Sequence, residues 1–523
     1  MTQQHAVARR VAVGTATNII GQAVVIATLL ALAPIIVHAV GATDYGVWVL
    51  VGSVASFAFL LELGISSALV KYVAQHTAAG DVQEAAAMVA AATWLYGLLG
   101  TMILTGGLLV AFGLPELVAL HGAVARLIRP LAALTALDVA ISVVAVAPMA
   151  VLRGLQRFPI INAVNAAGAI TGLLLTVIAL LAGAGIVGVA AVGAFNSALT
   201  YAASMILGWR IAPGYLNRAP RRDRVRVRRL FRFSRSIAAI QVAGQLQNRV
   251  DAVIIAAALP IRLVTPYNFA QRLAVGTSIA GDQFGGVLLP LATEMGSRGD
   301  PYVLRRLFLT AVRLTLAIAL GVGLPLAILG GQILGIWVGQ QYAGYGAVVM
   351  LLATAAIIDL PARPAGFVLQ SIERHEPVAW MAIGGGLANV GISIALVGSY
   401  GINGVAAGTL IATTAEIALF VLPYAARVLG VSVREIVAEV ITPLLVPALI
   451  LSAILVVGGS VLAVRSVLPL ALVILGGILA YGVAYVMLGA RASERSAYRA
   501  AAAALLRIPG RIRAARSNSA GGS

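Results

Sequence analysis

Two stretches of this sequence hold polar side chains where nearly everything around them is apolar. In "QVAGQLQNRVD", Gln241, Gln245 and Asn248 recur at i, i+4 and i+7, one stripe of a helix, with Arg249 and Asp251 beside it. Further on, Asn268, Gln271, Arg272, Asp282 and Gln283 fall within an arc of about 120° when each residue advances by about 100°. Thr15, Asn18 and Gln22 form a thinner version near the start. Amides and hydroxyls of this kind can hold a hydroxyl-rich ligand by hydrogen bonds. Arg272 adds a permanently charged, planar fork of donors whose geometry suits phosphate oxygens. The competing reading pairs Arg272 with Asp251 or Asp282 and makes it glue between helices. The chemistry on offer is binding, with no bond made or broken.

Other chemistry is excluded by what the chain lacks. There is no Cys, so disulfides, thiol catalysis and thiolate metal sites drop out. The five His (His5, His38, His76, His121, His375) are scattered without ligand spacing, so no metal and no other cofactor is expected. No Ser/His/Asp group or carboxylate pair converges, and no large acidic loop is available, so no enzyme is expected. "GAGIVG" (Gly183–Gly188) fits a dinucleotide-binding fingerprint but follows an apolar helical block, with no acidic residue about 20 positions on. Further ionisable groups embedded in apolar sequence are Glu62, Asp138, Glu294, Asp359, Arg363 and Glu416. Of these, Asp138 and Glu416 join Asp251 and Asp282 as coupling or helix-pairing carboxylates.

The elements that must position these residues are membrane helices. Of 523 residues, 61% are hydrophobic and only 10% charged, with mean hydropathy +1.00; soluble domains carry about 25% charged residues. The apolar residues fall in about fourteen blocks long enough to cross roughly 30 Å of hydrocarbon. Inside a bilayer only helices and closed barrels satisfy their backbone, so an all-α multi-pass protein is expected. The first block is too long for a signal peptide. Trp48, Trp209 and Trp337 lie near predicted helix ends and read as interfacial anchors.

A net charge of +18 would suggest nucleic acid in a soluble protein, but its distribution here encodes topology. Ten of the 36 Lys and Arg fall within Arg210–Arg235, whereas the opposite set of loops holds only Arg126, Arg129, Arg262 and Arg465. The positive-inside rule then puts both termini and this linker in the cytoplasm. No nucleic acid partner is expected, and "RRDRVRVRRLFRFSR" (Arg221–Arg235) is expected against anionic lipid headgroups.

An internal repeat organises the blocks. "GIVGVAA" (Gly185–Ala191) returns as "GINGVAA" (Gly401–Ala407), "LQRFPI" (Leu155–Ile160) as "IERHEP" (Ile372–Pro377), and "DYG" (Asp44–Gly46) as "PYN" (Pro266–Asn268). The matches stay collinear, which reads as two parallel six-helix lobes, 11–210 and 236–427, around a central cleft. A basic cytoplasmic linker (211–235) joins them; helices thirteen and fourteen (438–490) and a basic cytoplasmic tail (491–523) follow. Each heptapeptide is expected to turn a tight hairpin at Gly185 or Gly401, with Gly188 or Gly404 allowing close helix approach.

"GATDYGVWVLVGSVASFAFLLELGISSALVKYVAQHTAAGD" (Gly41–Asp81), "VLRGLQRF" (Val151–Phe158) and "NRVDAVIIAAALPIRLVTPYNFAQRL" (Asn248–Leu273) resemble polysaccharide biosynthesis proteins, the Wzx-type flippases. That family belongs to the multidrug/oligosaccharidyl-lipid/polysaccharide exporter superfamily, and the similarity runs through about 11–430. The resemblance implies a V-shaped pair of lobes that flips a polyprenyl-pyrophosphate-linked oligosaccharide across the bacterial cell membrane. It implies membrane lipids, and a polysaccharide polymerase or glycosyltransferase, as partners. Relatives line the cleft with cations, and Arg272 falls where related peptidoglycan-precursor flippases also place an Arg. The chain departs from those flippases in having no Arg within helix one. It also lacks the helix-one acid of drug exporters on this fold, which argues against the alternative of a cation-coupled drug or metabolite antiporter.

Overall fold

The computed structural model describes residues 2–62, 64–117, 123–277, 288, 292, 301–374, 376–461, 466–490 and 495, and no strand occurs among them. The first half holds α1 (Thr2–Ser56), α2 (Ile65–Ala78), α3 (Val82–Leu117), α4 (Ala123–Gly154), α5 (Phe158–Leu181) and α6 (Gly185–Ile211). A short α7 (Pro213–Leu216) leads to α8 (Arg224–Asn248), α9 (Val250–Ala258) and α10 (264–277). The remainder is α11 (Pro301–Trp337), α12 (Gly346–Asp359), α13 (Arg363–Ser371), α14 (Glu376–Ala415), α15 (Leu422–Leu429), α16 (Val433–Ile436), α17 (Thr442–Val461) and α18 (Val467–Ala484).

Among the described residues, 10 helical segments are long and apolar enough to cross a membrane, fewer than the apolar blocks suggest. Glycine accounts for part of the difference. Gly21–Glu62 and Glu376–Leu429 run for 42 and 54 residues, whereas about 20 suffice for one crossing. Each turns at a glycine outside helical backbone space, Gly41 (φ 82, ψ 167) in α1 and Gly401 (φ 58, ψ −140) in α14. The seventh block is divided at Arg249, the join of α8 and α9.

The basic linker is partly helix seven itself. α8 starts at Arg224 and runs unbroken past Arg235, so the expected boundary at 235/236 falls inside one helix. Asp223 caps it, accepting from the backbone N–H of Val225 (3.1 Å) and Arg226 (3.0 Å). The side chain of Arg226 bonds both Asp223 and Glu84 of α3, reaching Glu84 Oε2 at 2.6 Å. Attraction to the Arg226 backbone N–H, then to its guanidinium, holds the Asp223 carboxyl below its usual range.

The repeated phrases share backbone departures. Gln156 (φ 56) and Glu373 (φ 59) stand at the same place in "LQRFPI" and "IERHEP", the only non-glycine residues with positive φ among those described. Gly185 and Gly401 both have φ 58.

Three large apolar cores follow from the packing. One draws on both halves, joining Tyr45, Ile186 and Val189 to Phe269, Leu334 and Val405. A second belongs to the first half and the start of α8, with Leu69, Met88, Val143 and Leu230. A third, with Phe308, Leu369 and Val421, belongs to the second half. The halves therefore share a core at one end and keep separate cores at the end that carries the linker.

Candidate functional site

Between the shared core and the separate ones lies a cavity of about 770 Å³. Ile26, Leu29 and Leu30 of α1 line it, with Phe59, Leu60 and Glu62 from the turn that follows. Gln241, Gly244 and Gln245 come from α8, Arg249 from the α8–α9 break, Asn268, Gln271 and Arg272 from α10, and Arg363 from α13. Its size is in the range of small-molecule sites, and it mixes apolar walls with few polar groups, as such sites do.

A proline in α1 prepares one wall. Pro34 has no N–H to give to the carbonyl four residues back, and its ring crowds that turn. The Leu30 carbonyl is taken instead by the Trp337 indole N–H at 2.9 Å, so Trp337 ties α11 to α1, a role beyond interfacial anchoring. The neighbouring Leu29 carbonyl accepts from Arg272 Nη1 at 3.2 Å.

Arg272 is held by neutral groups. Its Nε donates to Asn268 Oδ1 at 2.9 Å, and the same oxygen accepts from the buried Tyr45 hydroxyl at 3.1 Å. Among the described residues no carboxylate pairs with it. Asp251 is committed elsewhere: it accepts from Tyr267 Oη (2.6 Å), Asn389 Nδ2 (3.4 Å) and Thr409 Oγ1 (3.5 Å), which ties α9 to α10 and α14. The glue pair of Arg272 with Asp251 is thus absent. An Arg with only neutral partners keeps its charge available to an anion, and at membrane depth that charge has few other outlets. Arg249, exposed, faces the same cavity.

Glu62 is the acidic member. The three-ten turn Phe57–Glu62 and left-handed Gly64 (φ 74) interrupt this apolar stretch, and the Glu62 carboxylate covers the buried N-terminus of α2. It accepts from Ser66 N (2.5 Å), Gly64 N (3.3 Å), the Tyr96 hydroxyl (3.0 Å) and Gln241 Nε2 (3.4 Å). A carboxylate at a helix N-terminus is favoured by the amide donors and the helix dipole. Its bond to Gln241 joins the two halves across the cavity floor. The other amide atom of Gln241, Oε1, is buried with no hydrogen-bond partner among the described residues. Arg363, by contrast, is already paired with Asp359 Oδ2 at 3.0 Å.

Six predicted residues therefore meet on one wall: Gln241, Gln245, Arg249, Asn268, Gln271 and Arg272. Others do not. Gln22 is exposed and is not part of the lining; among its described residues helix one contributes apolar side chains and a carbonyl. The side chains of Asn18 and Asn248, and residues Asp282, Gln283 and Glu294, lie outside what the structure describes. Asp138 accepts from Ser197 Oγ at 2.5 Å, and Glu416 from Gln247 Nε2 at 2.9 Å; both are helix-to-helix contacts away from the cavity. Sequence reading left Glu62 and Arg363 among unplaced ionisable groups. The signal for Glu62 is "LELG", an acid and a glycine closing an apolar block.

Comparison with known proteins is consistent with this geometry. Residues 35–346 match the family model described as polysaccharide biosynthesis protein. None of the curated proteins matches the chain significantly. Among solved structures, a lipid II flippase, MurJ, in an inward closed conformation is similar with a TM-score of 0.68 at 13% identity, over 91% of this chain and 97% of that one. An inward-facing multidrug resistance MATE transporter of the MOP superfamily is similar with a TM-score of 0.61 at 17% identity, over 77% and 98%. A MOP superfamily transporter from Pyrococcus furiosus, whose title describes a binding pocket of reverse polarity, gives 0.58 at 18% identity, over 80% and 94%. At such identities the likeness shows the fold alone, a multi-pass helical arrangement like that of these transporters.

Proposed function

The chain belongs to the polysaccharide biosynthesis protein family, and from that premise we propose that it is a flippase for a polyprenyl-pyrophosphate-linked oligosaccharide. The cargo would be a repeat unit of an O-antigen, capsule or exopolysaccharide, carried across the bacterial cell membrane. Arg272 carries the proposal, because it stands in the cavity with only neutral partners among the described residues. A pyrophosphate would replace the Leu29 carbonyl as its acceptor through charge-assisted, bidentate hydrogen bonds. Arg249, which lines the same cavity, would take the second phosphate. The sugars would sit beside Gln245, Gln271 and Gln241, whose open Oε1 can accept from a hydroxyl, while the lipid tail stays in the bilayer.

Transport would proceed by alternating access of two lobes, 11–210 and 236–427, with helices thirteen and fourteen packed outside them. The separate cores at the linker end support an opening on that side, which the charge distribution makes cytoplasmic, together with both termini. The described structure then corresponds to the cargo-accepting form. Membrane lipids surround the protein, and a polysaccharide polymerase or glycosyltransferase would supply or consume its cargo.

A second reading rests on Glu62: a cation-coupled antiporter on this fold would use a cavity carboxylate. The two separate cleanly. Arg272→Ala should abolish surface glycan at unchanged membrane abundance, with Arg272→Lys recovering it in part because Lys lacks the planar fork. Retained glycan export in Arg272→Ala, with transport lost in Glu62→Gln alone, would discard the flippase reading in favour of the antiporter.

A further inference from the structure

A second arginine-lined cavity, of about 430 Å³, lies between α8 and α3. Arg224, Val227, Arg228 and Phe231 fall at i, i+3, i+4 and i+7, so one face of α8 turns two guanidinium groups and two apolar side chains toward Trp94, Leu95 and Leu98 of α3. Arg222 completes the rim, its guanidinium 5.9 Å from the centre of the Trp94 ring. The opposite face of α8 makes the structural contacts. There Arg226 binds Glu84 and Asp223, Leu230 is fully buried, and Arg229 sits 4.8 Å over the Tyr72 ring. The acids nearest the cavity, Asp223 and Glu84, are thus already occupied by Arg226. Arg222, Arg224 and Arg228 are exposed, and no carboxylate pairs with them among the described residues.

Depth identifies what such a cavity meets. α8 starts beside α3, the Arg221 backbone N–H donating to the Ala90 carbonyl at 3.4 Å, and a run of guanidinium groups keeps to the headgroup side of the hydrocarbon, so the neighbouring Trp94 stands near that level. Trp94 is therefore at headgroup level, where tryptophan anchors. Leu98, one turn deeper and 43% exposed, faces the acyl region. Three cations at the headgroup plane above an apolar wall match an amphiphile with a phosphate above and chains below. A soluble phosphate would gain nothing from Leu98 or Phe231.

We infer that the α3–α8 groove is a binding site for the headgroup of an anionic phospholipid, with its phosphate between Arg222, Arg224 and Arg228. The site is separate from the central cavity and does not depend on the cargo proposed for it. It fixes the start of α8 to the membrane surface.

The test uses the full-length protein in phosphatidylcholine bilayers to which phosphatidylglycerol or more phosphatidylcholine is added with dibrominated chains. The Trp94 component of the fluorescence is isolated by difference from Trp94→Phe. Brominated phosphatidylglycerol should quench this component more strongly than brominated phosphatidylcholine. The preference should fall about fivefold for each arginine replaced by Gln, since a basic residue near an anionic surface contributes about 1 kcal/mol. A triple Arg→Lys variant, which keeps the charges, should keep most of it. Equal quenching by the two lipids would overturn the inference. So would a preference that survives Arg222→Gln/Arg224→Gln/Arg228→Gln, or one erased by millimolar inorganic phosphate, which would mark a site for free anions. Should the triple Gln variant elute unlike the parent protein, the three single variants carry the same test.

Discussion

The two ends of this molecule are held together by different forces. At the sealed end, both halves contribute to one core, and partly buried hydrogen bonds cross between them: Thr265 Oγ1 to the Ala42 carbonyl at 2.6 Å, Tyr45 to Asn268, and Trp337 to Leu30. At the linker end the cores are separate, and α8 is fastened to the first half by the buried Leu230 together with partly exposed ion pairs and cation–π contacts at the rim. Buried apolar surface and satisfied, partly buried hydrogen bonds resist opening, whereas surface ion pairs contribute about 0–1 kcal/mol each and weaken with salt. The seal therefore sets which side of the cavity is closed, and the linker end only steadies helices around an opening. Alternation requires breaking the seal.

The largest effect should come from wedging it. A Cβ on Gly46 would come within 2.6 Å of the Ile261 carbonyl oxygen, a backbone atom that cannot swing aside. Gly46→Leu should shift the population toward the opposite opening by about 5- to 150-fold, the equivalent of an overpacking cost of 1–3 kcal/mol. A single cysteine at Val405, fully buried in the shared core of this Cys-free chain, reports the change as faster labelling from outside. Unchanged labelling would mean that the seal does not control access.

A smaller effect is expected at the cavity floor between the two ends. Glu62→Gln loses the charge that caps α2 and weakens the bonds from Ser66, Gly64 and Tyr96. Thermal unfolding in detergent should show a loss of about 1–2 kcal/mol. A variant as stable as the parent would show that the cap is dispensable and Glu62 is retained for another purpose.

The smallest effect belongs to the linker end. Asp223 is held below the ordinary carboxylate range, chiefly by the Arg226 backbone N–H. A depressed carboxylate stabilises the folded state above its unfolded value and loses that contribution as pH falls through the folded one. Amide exchange at Val225 and Arg226 should thus be pH-independent, once intrinsic rates are removed, until the pH drops below about 4. Asp223→Asn should abolish the acid-side change. Acid loosening that persists in Asp223→Asn would assign it to Glu84.

Much of this was legible in the residues. Apolar block length gave the helices, and the repeated phrases marked equivalent turns, down to the shared left-handed backbone at Gln156 and Glu373. Helical spacing of polar residues brought Gln241, Gln245, Asn268, Gln271 and Arg272 to one wall. Gln22 was misplaced because counting polarity rewards side chains. Among the described residues the polar group that α1 gives the cavity is the Leu29 carbonyl, a backbone atom that the sequence does not mark. Glu62 and Gln241 meet across 179 positions, a contact no local spacing encodes. The break at Arg249 was equally hidden, since "QNRVDA" contains neither Gly nor Pro.

Arg272 is proposed as a phosphate ligand and not a structural pin. The most direct test is equilibrium binding of farnesyl pyrophosphate, a short polyprenyl probe, to the purified protein and to Arg272→Gln, with farnesol as the control lacking phosphate. The account predicts saturable binding that farnesol does not compete, weakened about 10- to 150-fold in Arg272→Gln, as expected for losing a hydrogen-bonded charge worth about 1.5–3 kcal/mol. Equal affinity in the two proteins, with Arg272→Gln folded as the parent is, would contradict it.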